Sequence, residues 1–86
     1  MREFRWDSDK SDLLKETRGA SFEDIADARL IAILKHPARE NQKLILFEYE
    51  EYIWVVPCIV EDDCYFLKTL YPSRKYTKLF LKGAGK

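Results

Sequence analysis

No aspartate or glutamate follows Asp63 in this 86-residue chain, and all 15 acidic residues lie at or before that position. Residues 1–63 also hold nine of the 15 lysines and arginines, and the remaining six follow. The neutral total therefore conceals a formal charge of −6 on the first part and +6 on the last. Segregated charge of this kind creates a local field that steers charged partners. Because phosphate contacts release condensed counterions, nucleic acid is the first ligand class that we expect for the basic end.

Long apolar runs, metal ligands and glycine-rich motifs are also scarce. No apolar run reaches the roughly 18 residues that cross a membrane, and the charged residues directly after Met1 predict that there is no signal peptide. Two cysteines, one histidine and three glycines do not supply a zinc site, a phosphate-binding loop or a dinucleotide fingerprint. We therefore expect a cytoplasmic protein that needs no metal or cofactor. In a reducing compartment Cys58 and Cys64 would remain buried, inert thiols.

The length allows a single domain. A hydrophobic content of 47%, with two Trp, five Tyr and five Phe, is ample for one small core. We predict that residues 1–82 form this domain. Residues 83–86 contain two of the three glycines and are predicted to be a flexible tail.

Local signals at the start of the chain predict a strand and a helix. Residues 3–6 alternate polar and apolar side chains, which is typical of a strand with one buried face. Asp7 or Ser8 is then suited to cap a helix whose first turn is acidic. Gly19 follows Lys15 and Arg18 and predicts the end of that helix.

A second helix is predicted to begin at Ser21, because Asp24 stands three residues later in the capping-box position. The aliphatic run at residues 30–34 is compatible with a continuing helix and equally with a strand. Pro37 ends this segment in either case.

Three β-segments follow, at residues 43–49, 52–60 and 65–71, joined by short acidic connections. Such short links favour an antiparallel meander. Pro57 lies inside the middle segment and predicts a bulge or a change of register there. The fold class is therefore α+β: a small twisted antiparallel sheet, two N-terminal helices and a basic C-terminal helix.

The C-terminal helix carries the strongest functional signal. Pro72 is predicted as its first residue, or Ser73 as its cap, with Tyr76, Leu79 and Phe80 along one side. The basic residues recur along another side at Arg74, Lys78 and Lys82, with Lys75 beside them. Two interpretations are open at this point: a surface for nucleic acid, or an ordinary solvated helix face. Lys68 and Tyr71, at the end of the preceding strand, favour a compact polar site in which the cations converge over a concave surface.

Two further residues are candidates for acid–base chemistry. His36 would need a partner and a cleft to act as a general base, and a lone loop histidine is more often polar surface. Glu48 alternates with apolar neighbours on a sheet strand and could serve as a base if that face of the sheet is active.

Several segments together resemble the BrnT-type toxins. Residues 4–10 read Phe-Arg-Trp-Asp-Ser-Asp-Lys and match the pattern F-x-W-D-x-x-K of that family. Residues 18–24 read Arg-Gly-Ala-Ser-Phe-Glu-Asp and are similar to the family segment H-G-x-S-F-E-E, with Arg18 in the place of the histidine. Residues 72–77 read Pro-Ser-Arg-Lys-Tyr-Thr and are similar to the segment S-A-R-K-A-T.

The resemblance implies a RelE-like fold and a metal-independent ribonuclease that arrests translation. It also implies a cognate antitoxin, often a ribbon-helix-helix protein, and binding to operator DNA only through the toxin–antitoxin complex. Arg74 and Lys75 match the Arg-Lys pair of the family, and Lys68 lies one place from its strand arginine. An alternative is a non-catalytic interaction module or corepressor that binds such an antitoxin through its basic face.

If the chain cleaves RNA, the 2′-hydroxyl would attack the adjacent phosphate with the help of a base, an acid and cations. The residues that we predict to be catalytic are Arg74, Lys68, Glu48 and Tyr71. Those that we predict to bind RNA are Lys75, Lys78, Arg18 and Tyr76. No metal ligand is predicted.

Overall fold

Six strands and three short helices make up the part of the chain that the structure, a computed structural model, describes. That part is residues 3–82, without the side chain of Lys82, so the predicted tail at residues 83–86 lies outside it. The elements in order are β1 (Glu3–Arg5), α1 (Ser8–Arg18), α2 (Phe22–Ala26), β2 (Arg29–Lys35), β3 (Gln42–Tyr49), β4 (Tyr52–Glu61), β5 (Cys64–Leu67), β6 (Tyr71–Pro72), α3 (Arg74–Thr77) and a π-helical segment (Lys78–Lys82).

The first helix begins and ends where its capping residues predict. The Asp7 carboxylate accepts a hydrogen bond from the backbone N–H of Asp9 at 2.9 Å and so satisfies one of the unpaired donors of the first turn. Gly19 ends the helix with a φ of 93°, a left-handed conformation that glycine adopts without a steric penalty. Its N–H donates to the carbonyl of Lys15 at 3.1 Å.

The second helix starts with the predicted capping box. The hydroxyl of Ser21 accepts from the N–H of Asp24, and the Asp24 carboxylate accepts from the N–H of Ser21, both at 3.1 Å. The helix ends at Ala26, and the ambiguous run at residues 30–34 belongs to strand β2. Its apolar side chains match those of β3 across the ladder, as in the pair Leu30 and Phe47.

The strands form one mixed sheet in the order β1-β5-β4-β3-β2, and β6 also pairs with β4. All pairs are antiparallel except β1 with β5, which run parallel, with Glu3 opposite Cys64. The predicted α+β class and the meander of β3, β4 and β5 are confirmed. The parallel first strand adds a non-local pairing that local sequence patterns do not encode.

Strand β4 passes through Pro57 without a bulge, so the predicted change of register is wrong. Its pairing with β3 is continuous, with Pro57 opposite Leu44. The backbone groups of Ile53 and Pro57 face away from β3, because the carbonyl of Ile53 accepts from Ser73 and that of Pro57 from Lys68. The proline nitrogen therefore occupies a position where the β3–β4 ladder needs no donor.

The two faces of the sheet pack against different helices. The first face carries Ile45, Phe47, Trp54 and Val56 in a cluster with α1 and α2 residues. The second face carries three fully buried residues packed against Tyr76 and Leu81 from the end of the chain, namely Leu46, Ile53 and Val55. Successive residues of a strand alternate between these faces, so the register assigns each strand residue to one of them.

The C-terminal helix meets the second face through Tyr76 and Leu81, and not through the predicted set that included Leu79 and Phe80. The side chains of Leu79 and Phe80 are 63% and 39% exposed. The helix changes to π geometry at Lys78, in which residues five apart align. This change brings Leu81 below Tyr76 and turns Leu79 outward.

Candidate nucleic-acid interface

The register of the sheet places three of the predicted catalytic residues on the second face. Tyr71 pairs with Val55, and Glu48 pairs with Ile53. Lys68 directly follows the buried Leu67 of the first face, and its N–H donates to the carbonyl of Pro57 at 2.9 Å. Alternation along the strand therefore directs Lys68 to the second face.

The basic helix is fastened to the same face at its start. Ser73 caps it by accepting from the N–H of Tyr76 at 3.1 Å. The Thr77 hydroxyl accepts from the N–H of Ile53 at 2.8 Å and donates to the carbonyl of Ser73 at 2.7 Å. Through these bonds the central strand fixes the position of Arg74, which comes directly after the cap.

The cations of this region lack acidic partners among residues 3–82. Lys68, Arg74, Lys75 and Lys78 are exposed, and the three ion pairs of the described chain involve other residues. Lys75 lies over the ring of Tyr76, with Nζ 5.3 Å from the ring centroid. An ammonium in this position gains from the ring quadrupole yet keeps its charge for an anion. The surface is thus free to bind phosphate groups.

Arg18, predicted to bind RNA, reaches this region from the opposite side. Its Nη1 donates to the carbonyl oxygen of Leu70 at 2.7 Å. Leu70 is fully buried and lies between Lys68 and Tyr71 in the chain. Arg18 therefore holds the segment that carries two of the catalytic candidates. The contact uses one of the five guanidinium donors, and the others stay available for a ligand.

Glu48 lies on the second face but stands apart from Lys68 and Tyr71. Its carboxylate pairs with Nη1 of Arg29 at 3.5 Å. Between Glu48 and Tyr71 in the register lie Ile53 and Val55, both buried. Sequence analysis missed Arg29, since this pairing depends on the register of β2 against β3 and no local motif marks it.

Comparison with known proteins identifies the fold. No protein-family model matches the sequence, and no curated protein matches it. The crystal structure of the Brucella abortus ribonuclease toxin BrnT does match, with a TM-score of 0.56 over 85% of this chain and 97% of that chain. The chain has a BrnT-like fold. The sequence identity between the two is 14%, so the likeness is one of architecture.

The BrnT-like fold of this chain exposes its C-terminal cations, and the concave site predicted for them stays a prediction. Three hollows are described within residues 3–82, at residues 35–43, beside Trp6, and around residues 61–64. None of them is lined by the basic helix. The reason is that Tyr76 points into the sheet, which leaves the charged side of the helix facing outward.

In the BrnT-like fold of this chain, the acidic residues Glu23 and Asp24 of α2 form contacts that hold α1 and α2 together. The Glu23 carboxylate accepts from the hydroxyl of the buried Ser11 at 2.6 Å and from Nε1 of Trp6 at 3.2 Å. The Ser11 bond is the main cause of a lowered pKa of Glu23. The hydrogen bond from Lys15 likewise lowers the pKa of Asp24. These shifts come from tertiary contacts that hold the helices together.

The remaining candidates for chemistry are few. Burial raises the pKa of Cys58 to about 11, and Cys58 and Cys64 are free, buried thiols as predicted. His36 accepts hydrogen bonds at Nδ1 from the N–H groups of Ala38 and Arg39, at 3.0 and 3.2 Å.

Among residues 3–82 no three His, Cys, Asp or Glu side chains form a metal-binding group, and no helix in that range has the length and apolar character to cross a membrane.

Proposed function

We propose that this chain is a metal-independent endoribonuclease, the toxin of a type II toxin–antitoxin pair, and that it inhibits translation in the cytoplasm. One observation carries the proposal: a BrnT-like fold presents unpaired cations and a tyrosine together on one face of its sheet. The comparison protein is a ribonuclease toxin. Cations without acidic partners supply what such a reaction needs most, which is stabilisation of developing negative charge.

The proposed reaction is an attack of the RNA 2′-hydroxyl on the neighbouring phosphorus. A base removes the hydroxyl proton, the O2′–P bond forms and the P–O5′ bond breaks. An acid then gives a proton to the departing 5′-oxygen. The products are a 2′,3′-cyclic phosphate and a 5′-hydroxyl. The extra negative charge on the phosphate oxygens at the transition state is where cations contribute most.

The roles divide among the candidates as follows. Arg74 and Lys68 stabilise the charge on the phosphate, and the planar fork of Arg74 suits two phosphate oxygens at once. Lys75 and Lys78 position the backbone, with Arg18 as a further cation. Tyr76, predicted to bind RNA, packs against the second face of the sheet and holds the basic helix there. Tyr71, which is 38% exposed, is the proton donor. The base stays unassigned, because Glu48, predicted for this role, pairs with Arg29 and stands apart from Lys68 and Tyr71 in the register.

Induced expression of wild type beside Arg74→Ala tests the proposal. Wild type should slow growth and fragment RNA, whereas Arg74→Ala should cut RNA about 100-fold more slowly or worse, as expected for the loss of one charge-stabilising donor. Lys10→Ala is the matched control. Lys10 is an exposed cation on α1, and that helix packs against the first face of the sheet. Purified wild-type protein that leaves mRNA intact in a translation extract, and does not slow growth, would contradict the proposal.

An antitoxin is the partner that we propose, with a ribbon-helix-helix protein as the expected type. An acidic antitoxin segment would cover the same cations, and the exposed side chains of Leu79 and Phe80 beside them offer apolar contact. Operator DNA would then be bound only by the complex. The next reading frame in the genome is the simplest check on this part.

The exposed Leu79 and Phe80 also favour a second candidate function, a non-catalytic interaction module or corepressor. The two functions differ in their ligands. RNA affinity with a steep salt dependence supports the ribonuclease. Tight binding to the neighbouring gene product, with no RNA affinity, supports the module.

A further inference from the structure

The hairpin that joins β2 to β3 brings a second group of cations together, at a part of the fold that the proposed function does not use. Lys35 and Lys43 occupy directly opposite positions in the ladder. Arg39 lies in the loop between them. Side chains directly opposite each other in an antiparallel pair have Cβ atoms about 5 Å apart, and like charges there repel. No ion pair within residues 3–82 compensates either lysine.

These residues line a hollow of about 520 Å³. The lining also includes His36, Pro37 and Glu40, and Glu40 is its single acidic residue. Lys43 is half-buried and pairs with Cys58, which belongs to the first face of the sheet. The hollow is therefore on the face opposite Arg74 and Tyr71, and a ligand there would be distinct from one at the basic helix.

The loop that shapes the hollow is held by its own hydrogen bonds. The N–H of His36 donates to the carbonyl of Gln42 at 3.3 Å, and Asn41 accepts from the N–H of Val60 at 2.9 Å. Nδ1 of His36 accepts from two loop N–H groups. In the neutral ring that leaves Nε2 as the nitrogen that carries a proton. The histidine, which lines the hollow, thus adds an N–H donor to the cations there.

We propose that this hairpin hollow is a phosphate-binding site, and that its natural ligand is a backbone phosphate of RNA. Two ammonium groups, one guanidinium and one imidazole N–H form a donor-rich set that suits a tetrahedral oxyanion. A bound phosphate would also relieve the repulsion between Lys35 and Lys43. Strand β2 is the outermost strand of the sheet, so an RNA chain on the second face could pass over this edge to the hollow.

The single histidine of the chain makes the test direct, because its imidazole signals in an NMR spectrum report on this hollow alone. The probe is a short RNA oligonucleotide with 2′-O-methyl groups, which cannot undergo attack by a 2′-hydroxyl. We expect a saturable shift of the His36 signals. The double variant Lys35→Gln/Lys43→Gln should bind about ten-fold more weakly or worse, with a smaller salt slope by about 0.7 per lost contact.

Two controls accompany the oligonucleotide titration: a variant of a distant lysine and a test that the double variant folds. Lys10→Gln should bind like wild type. The double variant should fold, with a raised midpoint of thermal unfolding, because the cross-strand repulsion is gone. A shift with inorganic phosphate but none with the oligonucleotide would support the site and assign it to small phosphorylated molecules. No shift with either probe would overturn it. Since the oligonucleotide stays intact, binding here is measured independently of whether the protein cleaves RNA.

Discussion

Arg18 donates a hydrogen bond to the carbonyl oxygen of Leu70 and thereby joins the last turn of α1 to the connection between β5 and β6, across 52 positions of sequence. Lys68 and Tyr71 flank this contact. A residue of the N-terminal helix therefore sets the position of two residues of the proposed cleavage site.

Replacing Arg18 with Ala should loosen the connection between β5 and β6. A hydrogen bond that involves a charged group contributes about 1.5–3 kcal/mol, and its loss leaves the carbonyl of buried Leu70 without this partner. We expect a lower free energy of unfolding in urea, together with faster hydrogen exchange of the Tyr71 amide. Lys10→Ala, on the same helix, is the control. Unchanged exchange and stability in Arg18→Ala would show that the contact does not hold the segment.

The buried Ser11 should be one of the most sensitive polar positions of the domain. Its hydroxyl donates to Glu23 at 2.6 Å and accepts from the N–H of Phe22 at 2.8 Å. Ser11→Ala leaves that N–H buried without an acceptor, at a cost of about 1–3 kcal/mol in the free energy of unfolding. Ser8→Ala, an exposed serine of the same helix, should change stability little. Equal effects of the two substitutions would contradict the assignment.

The hydrogen bond between Ser11 and Glu23 also predicts how the stability of the protein depends on pH. Hydrogen bonding, chiefly from Ser11, lowers the pKa of Glu23 in the folded protein below its ordinary value of 4.5. The folded state therefore binds fewer protons than the unfolded state in that range, and the stabilisation is present above pH 4.5 and lost as the pH falls through the lowered pKa. Urea midpoints at pH 7 and pH 3 should differ less for Glu23→Gln than for wild type. A Glu23→Gln protein with the full acid sensitivity would exclude this contribution.

The turn between β3 and β4 is predicted to accept glycine with a gain in stability. Glu50 and Glu51 have φ values of 53° and 65°, a left-handed conformation that costs a residue with a Cβ about 1–2 kcal/mol. Glu51→Gly should raise the free energy of unfolding by about 1 kcal/mol, measured in urea. Glu16→Gly, within the exposed face of α1, should instead lower it by a similar amount. A lower stability for Glu51→Gly would show that the side chain contributes more than the strain.

Local chemistry in the sequence was enough to predict both ends of the first helix and the start of the second. The signals of Asp7, Gly19 and the Ser21 capping box act within one or two turns, so no tertiary information is needed. The run at residues 30–34 could not be assigned, because its identity as a strand depends on partners in β3. The consequence of Pro57 depends on which edge of β4 its nitrogen faces, and only the pairing of both edges determines that.

The candidate site combines features that the sequence indicates with others that only the fold reveals. Clustered charge located the basic helix and its neighbours Lys68 and Tyr71. The outward turn of Leu79 follows from the π geometry, which no spacing rule anticipates, and the pairing of Arg29 with Glu48 follows from the register. Lys35 and Lys43 stand eight positions apart in the sequence, and only the β2–β3 ladder makes them neighbours.

The parallel pairing of β1 with β5 has a consequence for the order of events during synthesis. Cys64, the partner of Glu3, is made 61 residues after it, and closing a loop of that length carries an entropic cost. Strand β1 therefore stays without this partner until β5 has been made. A protein proposed to damage translation would thus complete this sheet only after its own β5 has been made.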